Sequence, residues 1–175
     1  MGMKKHASRS ATGFTFIEML VVVIIIGILG AVALPRIADL QDDAYVSMNV
    51  GTGAAFKSAV ALAHIRWASA GVGGPANNLD LYGSGKNLMD MNASGWPAQS
   101  NPSFDANPTL SNTNDCISVW GAILSDNAPR VATDRSEDYQ VTYASNACTF
   151  TLVKEPGLGI FYDSTSGSVV VDSTL

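Results

Sequence analysis

Residues 13–36 read Gly13-Phe14-Thr15-Phe16-Ile17-Glu18-Met19-Leu20 followed by VVVIIIGILGAVALPR. From Phe14 to Leu34 there are 21 residues, and Glu18 is their one charge. A helix of that length spans about 31 Å at 1.5 Å per residue, close to the hydrocarbon thickness of a bilayer. Lys4, Lys5 and Arg9 stand before it, which predicts a cytoplasmic N-terminus with the rest of the chain sent outward. A carboxylate inside such a segment is costly, so Glu18 demands a role.

Outward from that stretch, the bulk numbers set limits. The 175 residues suit one membrane or filament element plus one small domain. With 47% hydrophobic and 14% charged residues, the composition is that of a folding chain. The formal charge is −5, and three of the ten basic residues lie before Gly13. Loss of that head leaves seven basic against fifteen acidic side chains, a formal −8. No clustered basic face offers itself to phosphate, so nucleic-acid binding has little support.

A secretory signal peptide also has a basic head and an apolar core. Ala31 and Ala33 provide an A-x-A cleavage match, but cleavage there would leave Pro35 second in the new chain. The helical pattern runs on past it, and Glu18 near the start of the core departs from that class. A generic single-pass anchor is the other plain reading.

The whole stretch GFTFIEMLVVVIIIGILGAVALPR resembles the N-terminal signature of type IV pilins and type II secretion pseudopilins. The resemblance covers about 25 residues and carries four elements in register: basic head, glycine, glutamate and proline. It implies cleavage between Gly13 and Phe14 by a prepilin peptidase, N-methylation of Phe14, an assembly role for Glu18 and a helix kink at Pro35. Phe16 stands where leucine is commoner, and it remains apolar. On this reading residues 1–13 are a leader, 14–34 a transmembrane and filament-core half-helix, 35–70 an amphipathic half-helix and 71–175 an exported head with a disulfide loop. The implied partners are further copies in a helical filament, the peptidase and a membrane assembly platform. The implied location is the inner membrane of a Gram-negative bacterium, then an extracellular pilus. Glu18 would pair with the Phe14 amine of a neighbouring subunit, because an unpaired buried charge penalises wrong register. Placement at the headgroup level, or pairing within its own chain, is the competing reading.

Beyond Pro35 the residues Ile37, Leu40, Ala44, Met48, Gly51, Ala55, Ala59 and Leu62 follow three- and four-residue steps, predicting one buried helical stripe. Asp39, Asp42, Asp43, Lys57 and Arg66 fall largely off it. Gly27, Gly30, Gly51 and Gly53 lower helix propensity and permit close approach of helices. Gly71-Val72-Gly73-Gly74-Pro75 predicts a stop near Ala70. Pro75 to Asn114 reads as an ordered surface loop with short turns. Cys116–Leu124 reads as a short helix capped by Asn114 or Asp115, with a strand as the competing assignment. Asp138–Tyr143, Cys148–Val153, Ile160–Asp163 and Val169–Asp172 read as about four antiparallel strands, the last two joined at Ser164–Gly167. The expected fold is α+β: a long N-terminal helix, kinked near Pro35, packed against a C-terminal antiparallel sheet, as in pilins.

Cys116 and Cys148 lie in the part expected to be exported, where an even pair favours a disulfide over two buried thiols. The loop it closes would present Asp126 to Glu137, including Arg130 and Arg135. Nothing points to an enzyme: His6 lies in the head to be removed, and His64 is a lone histidine at a helical position. No GxSxG, HExxH or phosphate-binding glycine loop occurs. Asp134, Glu137 and Asp138 are close in sequence but lack the spacing of a calcium loop, so they read as solvated charges and no cofactor is expected. The cysteine pair, the Cys116-to-Trp120 segment and the C-terminal IFYDSTSGSVVVD hairpin most resemble mannose-sensitive haemagglutinin-type pilins, which implies surface attachment. A type II secretion pseudopilin, a minor pilin in DNA uptake and a membrane-anchored binding module are the alternatives.

Overall fold

The computed structural model describes residues 13–101, 103–124 and 126–174, apart from the side chains of Leu34, Pro35, Ala38 and Asp39. The basic head and the kink expected at Pro35 lie outside what is described. Helix α1 runs over Phe16–Ser69, and the chain divides into two units at Gln41 and Asp42. In the first unit, Phe16–Ala33 has a mean hydropathy of 2.8, long and apolar enough to cross a membrane, with none of that span buried.

The second unit begins with the rest of α1. The helix stops one residue before the expected Ala70, where Gly71 takes a φ of 68° and its N–H binds the Ala68 carbonyl. A left-handed residue after the last turn is the usual helix stop, and glycine adopts it without a Cβ penalty.

Two sheets and one further helix complete this unit. A three-stranded antiparallel sheet, β1 (Ala76–Asp80), β2 (Leu88–Met91) and β3 (Pro97–Gln99), has the order β1-β2-β3. Helix α2 spans Thr113–Ile123. The second sheet has the order β4-β5-β6-β7-β8, formed by β4 (Val131–Ala132), β5 (Tyr139–Ala144), β6 (Ala147–Leu152), β7 (Gly159–Asp163) and β8 (Ser168–Asp172). The four strands expected from alternation are β5 to β8, joined as antiparallel hairpins; β4 is an added two-residue parallel partner of β5. The β5–β6 turn places Ser145 and Asn146 at φ 49° and 62°, the doubly left-handed geometry that matches strand twist.

The core follows the alternation. Cys148, Phe150 and Leu152 of β6, Ile160 and Tyr162 of β7 and Val169 of β8 point inward, while Phe161 and Val170 point out. Phe56 of α1 sits among them, its ring centroid 5.4 Å from Trp120 of α2 and 5.6 Å from both Phe150 and Tyr162. Trp120 and Phe150 lie 4.5 Å apart, within the favoured range for aromatic pairs.

Three expectations are corrected. Pro75 to Asn114 is not a turn-rich loop throughout: it folds the first sheet and sends Met89, Met91 and Ala98 fully into the core. Its short strands are interrupted by Asn, Gly and Pro, which hides their alternation. The α2 cap is Asn112, two or three residues earlier than expected. Its side chain accepts from the N–H groups of Asn114 and Asp115, and Asp115 answers as third helical residue, accepting from the Asn112 N–H.

The third correction is the phase of α1. The residues expected to be buried are mostly exposed, including Ala44, Met48, Gly51, Ala55 and Leu62, with Ala59 half-buried. Ile37 and Leu40 are exposed in the first unit. The face packed on the sheets carries Asn49, Gly53, Phe56, Val60 and Ala63 instead. That face must bond strand ends and let a strand come close, so it is marked by an amide and a glycine. An apolar stripe therefore selects the other side.

Candidate assembly site

The first turn of α1 is built by Thr15 and Glu18. Thr15 precedes the helix, its carbonyl accepts the Met19 N–H at 3.3 Å, and its Oγ1 accepts the Glu18 N–H at 3.3 Å. The Glu18 carboxylate in turn accepts from the Thr15 N–H at 3.4 Å and the Thr15 hydroxyl at 3.5 Å. This is a capping box, in which two groups that a helix start leaves unpaired satisfy each other. The pattern T-x-x-E ahead of an apolar run is its sequence signal. The Glu18 carboxylate is thus hydrogen-bonded within its own chain.

Gly13, Phe14 and Thr15 lie outside the helix and are exposed; Phe14 is 80% exposed. Pro35 lies within α1. The Gly13–Phe14 bond and Glu18 are therefore near one another, at one end of the apolar span.

At the other end of the chain, Cys116 of α2 and Cys148 of β6 are joined, with their sulfurs 2.05 Å apart and both residues fully buried. Between them, the segment from Asp126 to Glu137 is pinned by backbone bonds. The Arg130 N–H donates to Asp138 Oδ2 at 2.9 Å, the Tyr139 N–H to the Arg130 carbonyl at 3.0 Å, and the Arg135 guanidinium to the Val153 carbonyl at 3.0 Å. Arg130 and Glu137 form an exposed ion pair at 4.0 Å. The Ser136 hydroxyl and N–H hold the Asp134 carboxyl below its ordinary value. Asp134, Glu137 and Asp138 thus each have a partner, and among the described residues no three His, Cys, Asp or Glu side chains gather as a metal set.

His64 is structural in its surroundings. Its ring stacks 3.9 Å from Trp96 and 5.3 Å from Trp67, and Nδ1 lies 2.7 Å from the Gly95 carbonyl. Sequence reading also passed over Asn49. That buried amide donates to the Asp172 carbonyl at 2.6 Å and the Gly159 carbonyl at 3.2 Å, and accepts from the Tyr139 hydroxyl at 3.0 Å. A lone Asn in a helix gives no periodic signal.

Residues 8–34 match the model of the prokaryotic N-terminal methylation motif. The chain is similar to the type IV narrow pilus major component PilA5 of Thermus thermophilus, with 48% identity over 56 residues, covering 32% of this chain and 48% of that protein. It is also similar to the type IV major pilin protein PilE1 of Neisseria gonorrhoeae, with 42% identity over 74 residues, covering 38% of this chain and 45% of that one. The chain thus spans about half the length of the curated relatives it matches. No solved structure matches it significantly. Gly13, Phe14, Glu18 and the apolar span all fall inside the matched motif.

Proposed function

We propose that this chain is a structural subunit of a type IV pilus and not an enzyme. A prepilin peptidase cuts after Gly13, Phe14 is N-methylated, and the subunit waits in the inner membrane until a platform adds it to a filament that attaches cells to surfaces. The observation that carries this reading is the methylation motif placed on an exposed apolar helix start, with one carboxylate at its head. The apolar residues left exposed further along α1, such as Leu62 and Ile65, fit the same reading, because neighbouring helices in a filament would cover them. The disulfide and the C-terminal hairpin support the mannose-sensitive haemagglutinin-type branch.

In the filament, Glu18 meets the Phe14 amine of a neighbour. Removing one partner of a buried ion pair costs about 3–5 kcal/mol, and a filament repeats that defect in every subunit. Glu18→Ala should leave cleavage and membrane level largely intact while surface filaments seen by electron microscopy fall sharply. Wild-type filament numbers from Glu18→Ala would overturn the pairing. Absence of surface filaments even from the wild-type gene would favour a secretion pseudopilin or an anchored module.

A further inference from the structure

Phe104 stands 81% exposed on a loop whose backbone is nevertheless tied down. The Asp105 N–H donates to Asn77 Oδ1 at 2.9 Å, Asn77 Nδ2 donates back to the Asp105 carbonyl at 2.6 Å, and the Asn107 N–H donates to Asp105 Oδ1 at 3.0 Å. A large apolar side chain held out on an ordered backbone loses little freedom when a partner covers it. Residues 100–115 include Asp105 and Asp115 and no lysine or arginine, so the loop is acidic. In sequence Asn77 lies between Gly74, whose carbonyl accepts from Trp67 Nε1 at 2.7 Å, and Asp80, whose carbonyl accepts from Arg66 Nε at 3.4 Å. Phe104 is therefore carried at the end of the second unit where α1 stops.

At the other end of the same unit is a cleft of about 370 Å³, lined by Tyr45 and Met48 of α1, Leu152 of β6, Arg135 and Lys154. Glu137 also lines it but is paired with Arg130, and the Asp138 carboxylate holds the Arg130 N–H. The charge that the cleft offers a visitor is thus that of Arg135 and Lys154. Met48 and Arg66 are separated by about 27 Å along α1, so the phenyl ring and the cleft of one chain do not meet. We propose that Phe104 of one copy seats in the cleft beside Tyr45 and Met48 of the next, with its acidic loop against Arg135 and Lys154. The inference rests on the filament reading above and deepens it by naming a contact between the exported parts. Burial of the ring supplies the attraction, and the opposite charges set which end meets which. Because the two surfaces differ, each added copy leaves one ring and one cleft free, and the contact extends open-endedly.

The test uses the full chain carrying Ser103→Cys, next to Phe104, together with Ser136→Cys, in the wall of the cleft; both serines are exposed. A short bismaleimide applied to cells should join these copies end to end, seen as a ladder of dimers, trimers and larger species on reducing gels. Adding Phe104→Ser should abolish the ladder, and adding Phe104→Trp should keep it. The urea-unfolding midpoint of Phe104→Ser should equal that of wild type, because the side chain is exposed. No ladder from the paired cysteines, a ladder that survives Phe104→Ser, an equal ladder from Ser103→Cys alone, or a fallen midpoint would each overturn the proposal. The ladder is read in total membranes as well as in sheared filaments. A ladder in membranes of cells without surface filaments would strike the pilus reading and uphold the contact, whereas filaments without a ladder would overturn the contact and leave that reading standing.

Discussion

Gly53 of α1 lies directly against Val171 of β8: a β-carbon built on Gly53 would stand 2.4 Å from Val171 Cγ2 and 2.9 Å from Cγ1. Real β-carbons do not come that close, so the glycine is what lets strand and helix meet. Sequence reading expected such glycines to serve helix–helix approach, and here the approaching element is a strand.

Gly53→Ala should therefore destabilise the second unit even though alanine favours helix by about 1 kcal/mol. Overpacking costs about 1–3 kcal/mol, so the net loss is expected at up to about 2 kcal/mol. Adding Val171→Ala should recover part of it. Denaturant unfolding of the single and double variants checks this, and additive losses would contradict the contact.

Asn49 ties α1 to the ends of β7 and β8 and to Tyr139. Asn49→Leu keeps the branched shape but takes the amide partner away from the Gly159 and Asp172 carbonyls and from the buried Tyr139 hydroxyl. Loss of a buried hydrogen-bond partner costs about 1–3 kcal/mol, and a loss in that range is expected. Tyr139→Phe removes one of the three bonds and should cost less. Equal losses would show that the amide's two donor bonds carry no weight.

Asp90 of β2 is fully buried, accepting the Asn78 N–H at 2.7 Å and the Gln99 amide at 3.4 Å, while the same amide reaches Asp105 at 3.4 Å. Burial pushes the Asp90 carboxyl above its ordinary value, with the Asp105 charge adding to it against the hydrogen bonds. The folded state then holds this proton more tightly than the unfolded chain. Its contribution is full below the ordinary carboxylate value and is lost as pH rises through the raised value. Relative to Asp90→Asn, wild type should lose stability as pH rises from about 4 through the raised value. Midpoints of urea unfolding across that range check it, and a flat difference would contradict it. Asp80, Asp134 and Asp163 are held below their ordinary values and act with the opposite sign, so the difference against the Asn variant is the informative quantity.

The outline of the fold was legible where physics writes a local pattern. The apolar run fixed the first half of α1, Gly71 marked its end, and alternation in β5 to β8 reads one strand after another. The first sheet was not legible, because its strands are three to five residues long and one of them, β3, starts on Pro97. The buried face of α1 was misread because contact with strands selects Asn49 and Gly53, which no hydrophobic period reveals. At the N-terminus, residues 13–18 announced both the glutamate and its cap. The cap went unread because Glu18 was weighed as a charge in lipid and not as the third residue of a helix.

We propose that this chain is cut after Gly13 and built into a surface filament. Intact-mass analysis of material sheared from the cell surface decides it. The expected species has lost Met1 to Gly13, begins at N-methylated Phe14 and retains the Cys116–Cys148 link. A chain beginning after Ala33, or one recovered with its head intact from membranes and absent from sheared filaments, would contradict it.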